Sequence, residues 1–311
     1  MRIVFMGTPE FALPSLKILH EHNYDIAAVV TAPDKPRGRG QRISFTPVKE
    51  FALKQSLSVI QPENLKDSKF VSTVSSLKPD LIVVVAFRIL PKEVFEIPNV
   101  GSFNLHASLL PKYRGAAPIN WAIINGETET GVTTFFLQEK VDTGSVILQA
   151  RVRIGPDETA GELYDKLAEV GAEIVLQTVR LLELGKAQAR PQDSGLASPA
   201  PKISKENCRI DWRKNAAQIH DFVRGLSPTP GAWTVYGNTT LKIFRTRLNE
   251  AKIDVRGKQP GEIVETDRSS LVVNTGNGAV DVLELQQEGK RRLSVAEFLR
   301  GYEMKVGVRF E

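Results

Sequence analysis

The sequence predicts an α/β chain in two parts, a mostly parallel sheet wrapped by helices followed by a smaller β-barrel. Three observations predict this. Strand and helix patterns alternate from Arg2 to Leu137, which implies a parallel sheet with covering helices. The stretch Pro-Gln-Asp-Ser-Gly-Leu-Ala-Ser-Pro-Ala-Pro, starting at Pro191, then breaks all periodicity. Beyond it, short β-branched runs are separated by tight-turn residues, the pattern of hairpins. A chain of 311 residues also suits two domains, at roughly 150 residues each. The expected boundaries are 1–190, a linker over 191–203, and 204–311.

The elements follow in order. Arg2–Gly7 reads as a strand and Pro9–Glu21 as a helix, with Thr8 as N-cap and proline at its first position. Ile26–Thr31 is a β-branched run, Ala32–Phe45 a loop rich in glycine, proline and arginine, and Pro47–Gln55 a helix. Asp80–Phe87, with Ile-Val-Val-Val at its centre, reads as a strand covered on both faces. Gly101–Leu105 and Gly131–Leu137 are further strands around a helix at Ala116–Asn125. Ala160–Leu184 is the longest helical pattern. Leu163, Leu167, Val170, Ile174 and Leu181 form its core stripe, and Gly185 can stop it. After the linker comes a short helix near Asn215–Arg224. Trp233–Tyr236 and Thr240–Phe244 then flank Gly237-Asn238, and Leu271–Asn274 and Val280–Leu285 flank Thr-Gly-Asn-Gly. Ser294-Val-Ala-Glu297 is a capping box.

Composition narrows the function classes. Hydrophobic residues are 41% and charged residues 25%, which excludes wholesale disorder. The longest strongly apolar run, Leu81–Phe87, has seven residues, whereas a membrane span needs about 20. The N-terminus enters a strand pattern directly, without a signal core, so the expected place is the cytoplasm. The single cysteine, Cys208, excludes an internal disulfide framework, and no cluster has metal-ligand spacing. Net charge is +5, unevenly spread. Residues 1–190 hold 22 basic and 21 acidic side chains, and residues 204–311 hold 18 and 14. A mildly basic C-terminal part fits a polyanion partner.

The first turn, Met6-Gly7-Thr8-Pro9, has one glycine where a dinucleotide fingerprint needs three, so it is poorly built for NAD. Ligands of open α/β sheets still bind at the carboxyl ends of strands, here after Phe87, His106 and Leu137. Asn104 and His106 are two apart on a strand and so face one side. Asp142 sits in a turn between strand patterns. An amide, an imidazole and a carboxylate form an acyl-transfer set. The amide can stabilise an oxyanion, the imidazole can exchange protons near neutral pH, and the carboxylate can orient the ring and favour its charged form.

Asn104-Leu-His106, Ser108-Leu-Leu-Pro-Lys-Tyr-Arg-Gly-Ala-Ala-Pro-Ile119 and Asp142-Thr-Gly144 resemble the signature of the 10-formyltetrahydrofolate-dependent formyltransferases. Three other segments resemble the branch of that family that acts on methionyl-tRNA: Phe5-Met-Gly7-Thr-Pro-Glu-Phe11, Asp34-Lys-Pro-Arg-Gly-Arg39-Gly40 and Lys202-Ile-Ser-Lys-Glu-Asn-Cys-Arg-Ile-Asp211-Trp212. The resemblance covers essentially the whole chain. It departs at Ala86-Phe87-Arg88-Ile-Leu-Pro91, where the commoner pattern has Ala-Tyr-Gly and one more residue.

The resemblance implies a Rossmann-like catalytic domain, an OB-like barrel that binds tRNA, and a monomer. It implies 10-formyltetrahydrofolate as formyl donor and initiator Met-tRNA as acceptor, without a metal. Asn104, His106 and Asp142 would be catalytic, and Ser108, Leu109, Leu110 and Pro111 would line the folate site. Lys35, Arg37, Arg39 and Arg42 would meet the acceptor stem, while Lys242, Arg245, Arg247, Lys290, Arg291 and Arg292 would grip the tRNA from the barrel. His20, His22, His220 and Cys208 are expected to be structural. Two rival readings remain open: a formyltransferase for a small amine such as an amino sugar, and a non-catalytic nucleic-acid-binding protein.

Overall fold

The computed structural model describes residues 1–37, 42–251 and 257–311. In chain order its elements begin with β1 (Arg2–Gly7), α1 (Leu13–Glu21), β2 (Asp25–Val30), β3 (Lys35–Arg37), β4 (Arg42–Ser44), α2 (Pro47–Lys54), β5 (Val59–Ile60) and α3 (Ser68–Ser76). Next come β6 (Leu81–Val85), α4 (Lys92–Phe95), β7 (Gly101–His106), β8 (Arg114–Gly115), α5 (Pro118–Ile124), β9 (Glu129–Phe136), β10 (Val146–Arg153), α6 (Ala160–Glu183) and β11 (Pro199–Ala200). The last are α7 (Ala216–Gly225), β12 (Ala232–Tyr236), β13 (Thr239–Leu248), β14 (Ile263–Thr266), β15 (Leu271–Asn274), β16 (Ala279–Gln287), β17 (Leu293–Ser294) and α8 (Val295–Leu299).

These residues fall into two compact units. One gathers Met1–Gly115, Thr130–Val152 and Tyr164–Ala200; the other gathers Ala116–Glu129, Arg153–Leu163 and Pro201–Glu311.

The first unit is built on a seven-stranded sheet in the order β10-β9-β7-β6-β1-β2-β5. β5, β2, β1, β6 and β7 run parallel, and β9 joins β7 antiparallel. Every residue of β6 is buried, as an uninterrupted Leu-Ile-Val-Val-Val strand covered on both faces requires. Parallel β1, β6 and β7 bring Gly7, Val85 and His106 to one edge of the sheet.

The first helix differs from its expected start. Glu10–Ala12 is a 3₁₀ turn ahead of α1, and the Thr8 hydroxyl accepts instead from the Ala32 N–H at 3.3 Å. The segment expected as a loop carries the β3–β4 hairpin, which pairs Lys35 with Ser44 and Arg37 with Arg42.

In the second unit an antiparallel sheet runs β12-β13-β16-β15-β14, with β17 beside β16. The last residues join its two edges. Val235 and Glu311 exchange backbone hydrogen bonds at 3.0 and 2.9 Å. On the other edge, Ile263 N–H donates to Val308 O and Phe310 N–H donates to Gly261 O. One segment thus pairs with both β12 and β14 and closes the sheet into a barrel, leaving few strand edges open. Phe310 is buried in the barrel core and stacks on Trp212 at 5.6 Å.

The buried polar residues of α7 are satisfied within the same unit. His220 meets Thr246 Oγ1 and Pro156 O, both at 3.0 Å, and Arg224 donates to Gly155 O and Glu158 O.

The head of α6 supplies a pH-dependent contact of this unit. The Glu162 carboxylate accepts from the Thr159 N–H and hydroxyl, each at 2.8 Å, and pairs with Arg245. The Thr159 N–H first, then Arg245, hold the Glu162 carboxyl down to about 2. Because the folded value is depressed, this stabilisation is full above the ordinary glutamate range and is lost as pH falls toward about 2. Glu162 is half exposed, so water weakens the effect. Glu162→Gln is therefore expected to lower the thermal midpoint by a few degrees at about pH 6 and to match the wild type near about pH 2. Melting curves at the two pH values check this, and a gap of equal size at both would contradict it.

Candidate functional site

The site grows from the end of β7. Its two-residue alternation buries Phe103 and Leu105 and puts Asn104 and His106 on the other face. Asn104 lies opposite Val84 of β6 and Phe135 of β9, and His106 opposite Thr133. His106 is buried, with its Nε2 at 2.8 Å from the carbonyl oxygen of Tyr113. A carbonyl only accepts, so Nε2 carries a proton and donates. That leaves Nδ1 as the working edge of the ring. Asp142 Oδ2 stands 3.8 Å from Nδ1, an ionic separation longer than a hydrogen bond.

Asp142 sits in a tight turn at φ +55°, in the left-handed region. Its carboxylate Oδ2 accepts from the Gly115 N–H at 2.9 Å. Two glycines make this possible. A Cβ on Gly144 would lie 1.6 Å from the Phe136 carbonyl oxygen, and one on Gly115, at φ +126°, would lie 2.5 Å from Ala200 O. The Thr143 hydroxyl donates to Lys140 O and tightens the same turn.

The structure thus brings His106 and Asp142 together. Asn104 shares the strand face of His106, and its half-buried side-chain amide has no hydrogen-bond partner among the described residues.

The 108–111 segment is pinned to the sheet. The Ser108 hydroxyl donates to Lys112 O, and Ser108 O accepts from the Thr133 hydroxyl, both at 2.6 Å. Leu110 N–H donates to Thr133 Oγ1, and Leu110 O accepts from Gln149 Nε2 at 2.9 Å. Ser108 and Leu110 are buried, while Leu109 and Pro111 are half-buried.

A cavity of about 510 Å³ opens nearby in sequence, after β6. Arg88, Ile89, Pro91, Lys92, Lys66 and Glu139 are among its lining residues. The shortened loop turns at Ala86, at φ +47°. Arg88 donates from its Nη atoms to Pro62 O and Glu63 O, and its buried Nε has no partner among the described residues.

Of the expected acceptor-stem residues, Lys35 opens β3 and is exposed. The side chains of Arg37 and Arg42, and all of Arg39, lie outside the described residues. At the base of the hairpin Asp34 accepts from Lys49 Nζ at 2.5 Å and from Gln61 Nε2 at 2.9 Å, and these donors hold its carboxyl below the ordinary range.

Four of the six basic barrel residues are already engaged. Arg245 pairs with Glu162 and Glu284, Arg247 with Asp281, Arg292 with Glu284, and Lys242 donates to Pro230 O. Lys290 and Arg291 are exposed, without an ion pair among the described residues.

Sequence reasoning missed two residues beside the site, Gln192 and Arg114. Gln192 Nε2 donates to Asp142 O and Gly144 O, and its Oε1 accepts from Arg114. Arg114 stood in a segment already quoted, but no periodicity marks Gln192, which lies among prolines and serines.

The comparisons cover both parts of the chain. A formyl transferase family model matches residues 1–179, and a formyl transferase C-terminal domain model matches residues 202–303. A methionyl-tRNA formyltransferase of Chlorobium limicola is 50% identical over 307 residues, covering 97% of this chain and 96% of the relative. One of Bacteroides fragilis is 47% identical over 313 residues, covering 98% and 96%. Among solved structures, HypX from Aquifex aeolicus in complex with tetrahydrofolic acid matches with a TM-score of 0.67 at 21% identity; 99% of this chain aligns with 50% of that longer protein.

Proposed function

The chain belongs to the methionyl-tRNA formyltransferase family, and from that premise we propose that it transfers the formyl group of 10-formyltetrahydrofolate to the α-amine of methionine on initiator tRNA. The observation that carries this reading to particular atoms is the meeting of His106 and Asp142, with Asn104 on the same strand face as His106 and its amide without a partner among the described residues.

The residues present suit a folate ligand. The Asn104 amide, without a partner among the described residues, supplies a donor near the carboxyl end of β7. When bound, the folate supplies the formyl carbon; the chain supplies position and charge. The Asn104 N–H is placed to donate to the formyl oxygen as negative charge builds there. The Nδ1 edge of His106 faces the same region, because Nε2 is committed to Tyr113. Asp142 orients that ring and takes up the proton the amine sheds, which balances the proton gained by the folate nitrogen as its bond to the formyl carbon breaks and tetrahydrofolate leaves. Gly115 fixes one carboxylate oxygen, leaving Oδ1 of Asp142 for the proton. Ser108, Leu109, Leu110 and Pro111 would border the folate.

Residues 1–190 would carry this chemistry and 204–311 the tRNA contacts, joined through 191–203, with the chain working as a monomer in the cytoplasm. No helix among the described residues is long and apolar enough to cross a membrane. Lys35, Arg37, Arg39 and Arg42 would meet the acceptor stem, where arginine forks suit phosphates and base edges. With four barrel cations already paired, Lys290 and Arg291 are the two placed to add phosphate contacts.

The test is transfer of labelled formyl from 10-formyltetrahydrofolate to initiator Met-tRNA, to free amino sugars, or to neither. Only the first outcome supports the proposal. Arg39→Ala is expected to raise KM for Met-tRNA roughly tenfold while leaving KM for the folate unchanged, as a lost charge-assisted contact would. Steady-state kinetics with each substrate varied in turn would show it, and an equal loss of folate affinity would contradict it.

A further inference from the structure

We infer that Gln192 is a positioning residue for formyl transfer, holding the Asp142 turn so that its carboxylate faces His106. The inference rests on the role proposed for Asp142.

Gln192 uses all of its polar groups at this one place. Nε2 donates to Asp142 O at 2.9 Å and to Gly144 O at 2.8 Å, while Oε1 accepts from Arg114 Nε at 3.1 Å and Nη2 at 2.7 Å. A guanidinium only donates and a carbonyl only accepts, so the amide can be satisfied in one orientation alone. Arg114 is itself fixed. Its N–H donates to Ser198 O at 2.9 Å, and β8 pairs with β11. The next residue, Gly115, donates to the Asp142 carboxylate. The Arg114-Gly115 step therefore grips Asp142 twice, at the side chain directly and at the backbone through Gln192.

The second grip matters because Asp142 holds φ at +55°, a left-handed conformation that a non-glycine residue keeps only when its surroundings enforce it. Without the Gln192 donor, the turn is free to relax and carry the carboxylate away from Nδ1. Displacements of about 1 Å at such a site can cost up to about a hundredfold in rate.

The experiment is a double-mutant cycle joined to hydrogen exchange. Gln192→Ala removes the amide. Gln192→Glu keeps its size and the Arg114 partner but sets an acceptor against two carbonyls, so it serves if the alanine variant fails to fold. Each is expected to lower kcat for Met-tRNA formylation roughly tenfold, with both KM values within about twofold. Combined with Asp142→Asn, Gln192→Ala should then cost less than about twofold more, because it acts through that carboxylate. Full additivity of the two losses would overturn the inference.

Exchange of the Gly115 amide is expected to quicken at least about tenfold in either Gln192 variant, reporting a loosened partner. Unchanged exchange would overturn the inference even if the chain formylated nothing. A wild-type protein without transferase activity would instead sink the proposed function.

Discussion

Asn104→Ala is expected to lower kcat for formyl transfer by roughly a hundredfold or more, with the thermal midpoint nearly unchanged. The size is that of one lost oxyanion donor, about 2.7–4 kcal/mol of barrier. The small effect on stability follows from the structure. The Asn104 amide is half-buried and has no partner among the described residues, so its removal strands no other polar group. His106→Ala is expected to lose as much rate but to behave differently on melting. It takes the Nε2 donor away from Tyr113 O in a buried site, which typically costs about 1–3 kcal/mol. Measuring kcat and the melting temperature of both variants separates the two residues. Near-normal turnover in folded protein would remove either from the mechanism.

Gly144→Ala is expected to be as damaging by another route. Its Cβ would fall 1.6 Å from the Phe136 carbonyl oxygen, so the backbone itself has to move. Phe136 N–H donates to Ser145 O across the same turn, and Gln192 donates to Gly144 O, so both bonds are strained by any shift. Overpacking typically costs about 1–3 kcal/mol, and a unit of this size melts roughly 2–4 °C lower per kcal/mol. The expected variant melts several degrees lower and loses roughly a hundredfold in kcat, because Asp142 moves with the turn. Gly185→Ala is the control. Its φ is +63°, with nothing within 4 Å of the added methyl, so it carries backbone strain of about 1 kcal/mol without loss of turnover. Equal activity losses in the two variants would mean that general strain, not the Asp142 turn, is being measured.

The parts of the fold legible in the sequence are those where one physical signal dominates. The unbroken apolar run of β6, the alternation of β7, the stripe of α6 and the capping box at Ser294 are local patterns, and each element is present. The β3–β4 hairpin was illegible because Lys-Pro-Arg and Arg-Ile-Ser carry no period. So was α3, whose Ser-Lys-Phe-Val-Ser-Thr-Val-Ser-Ser favours competing side-chain hydrogen bonds over helix. At the site, Asn104 and His106 were legible because spacing by two puts them on one face. Gln192 was not, since a glutamine among prolines and serines looks like solvated chain until tertiary contacts give each of its atoms a partner.

The interleaving of the two units bears on the order in which a growing chain can complete them. Gly155, Pro156 and Glu158 are synthesised well before the α7 side chains that use their carbonyls, His220 and Arg224. Until α7 leaves the ribosome those carbonyls go without the donors that His220 and Arg224 bring. A fragment beginning at residue 204 would carry His220 and Arg224 with no carbonyls to receive them, so it should emerge from expression as an unstable piece and regain order only when the rest of its unit, residues 116–129 and 153–163, is supplied in trans.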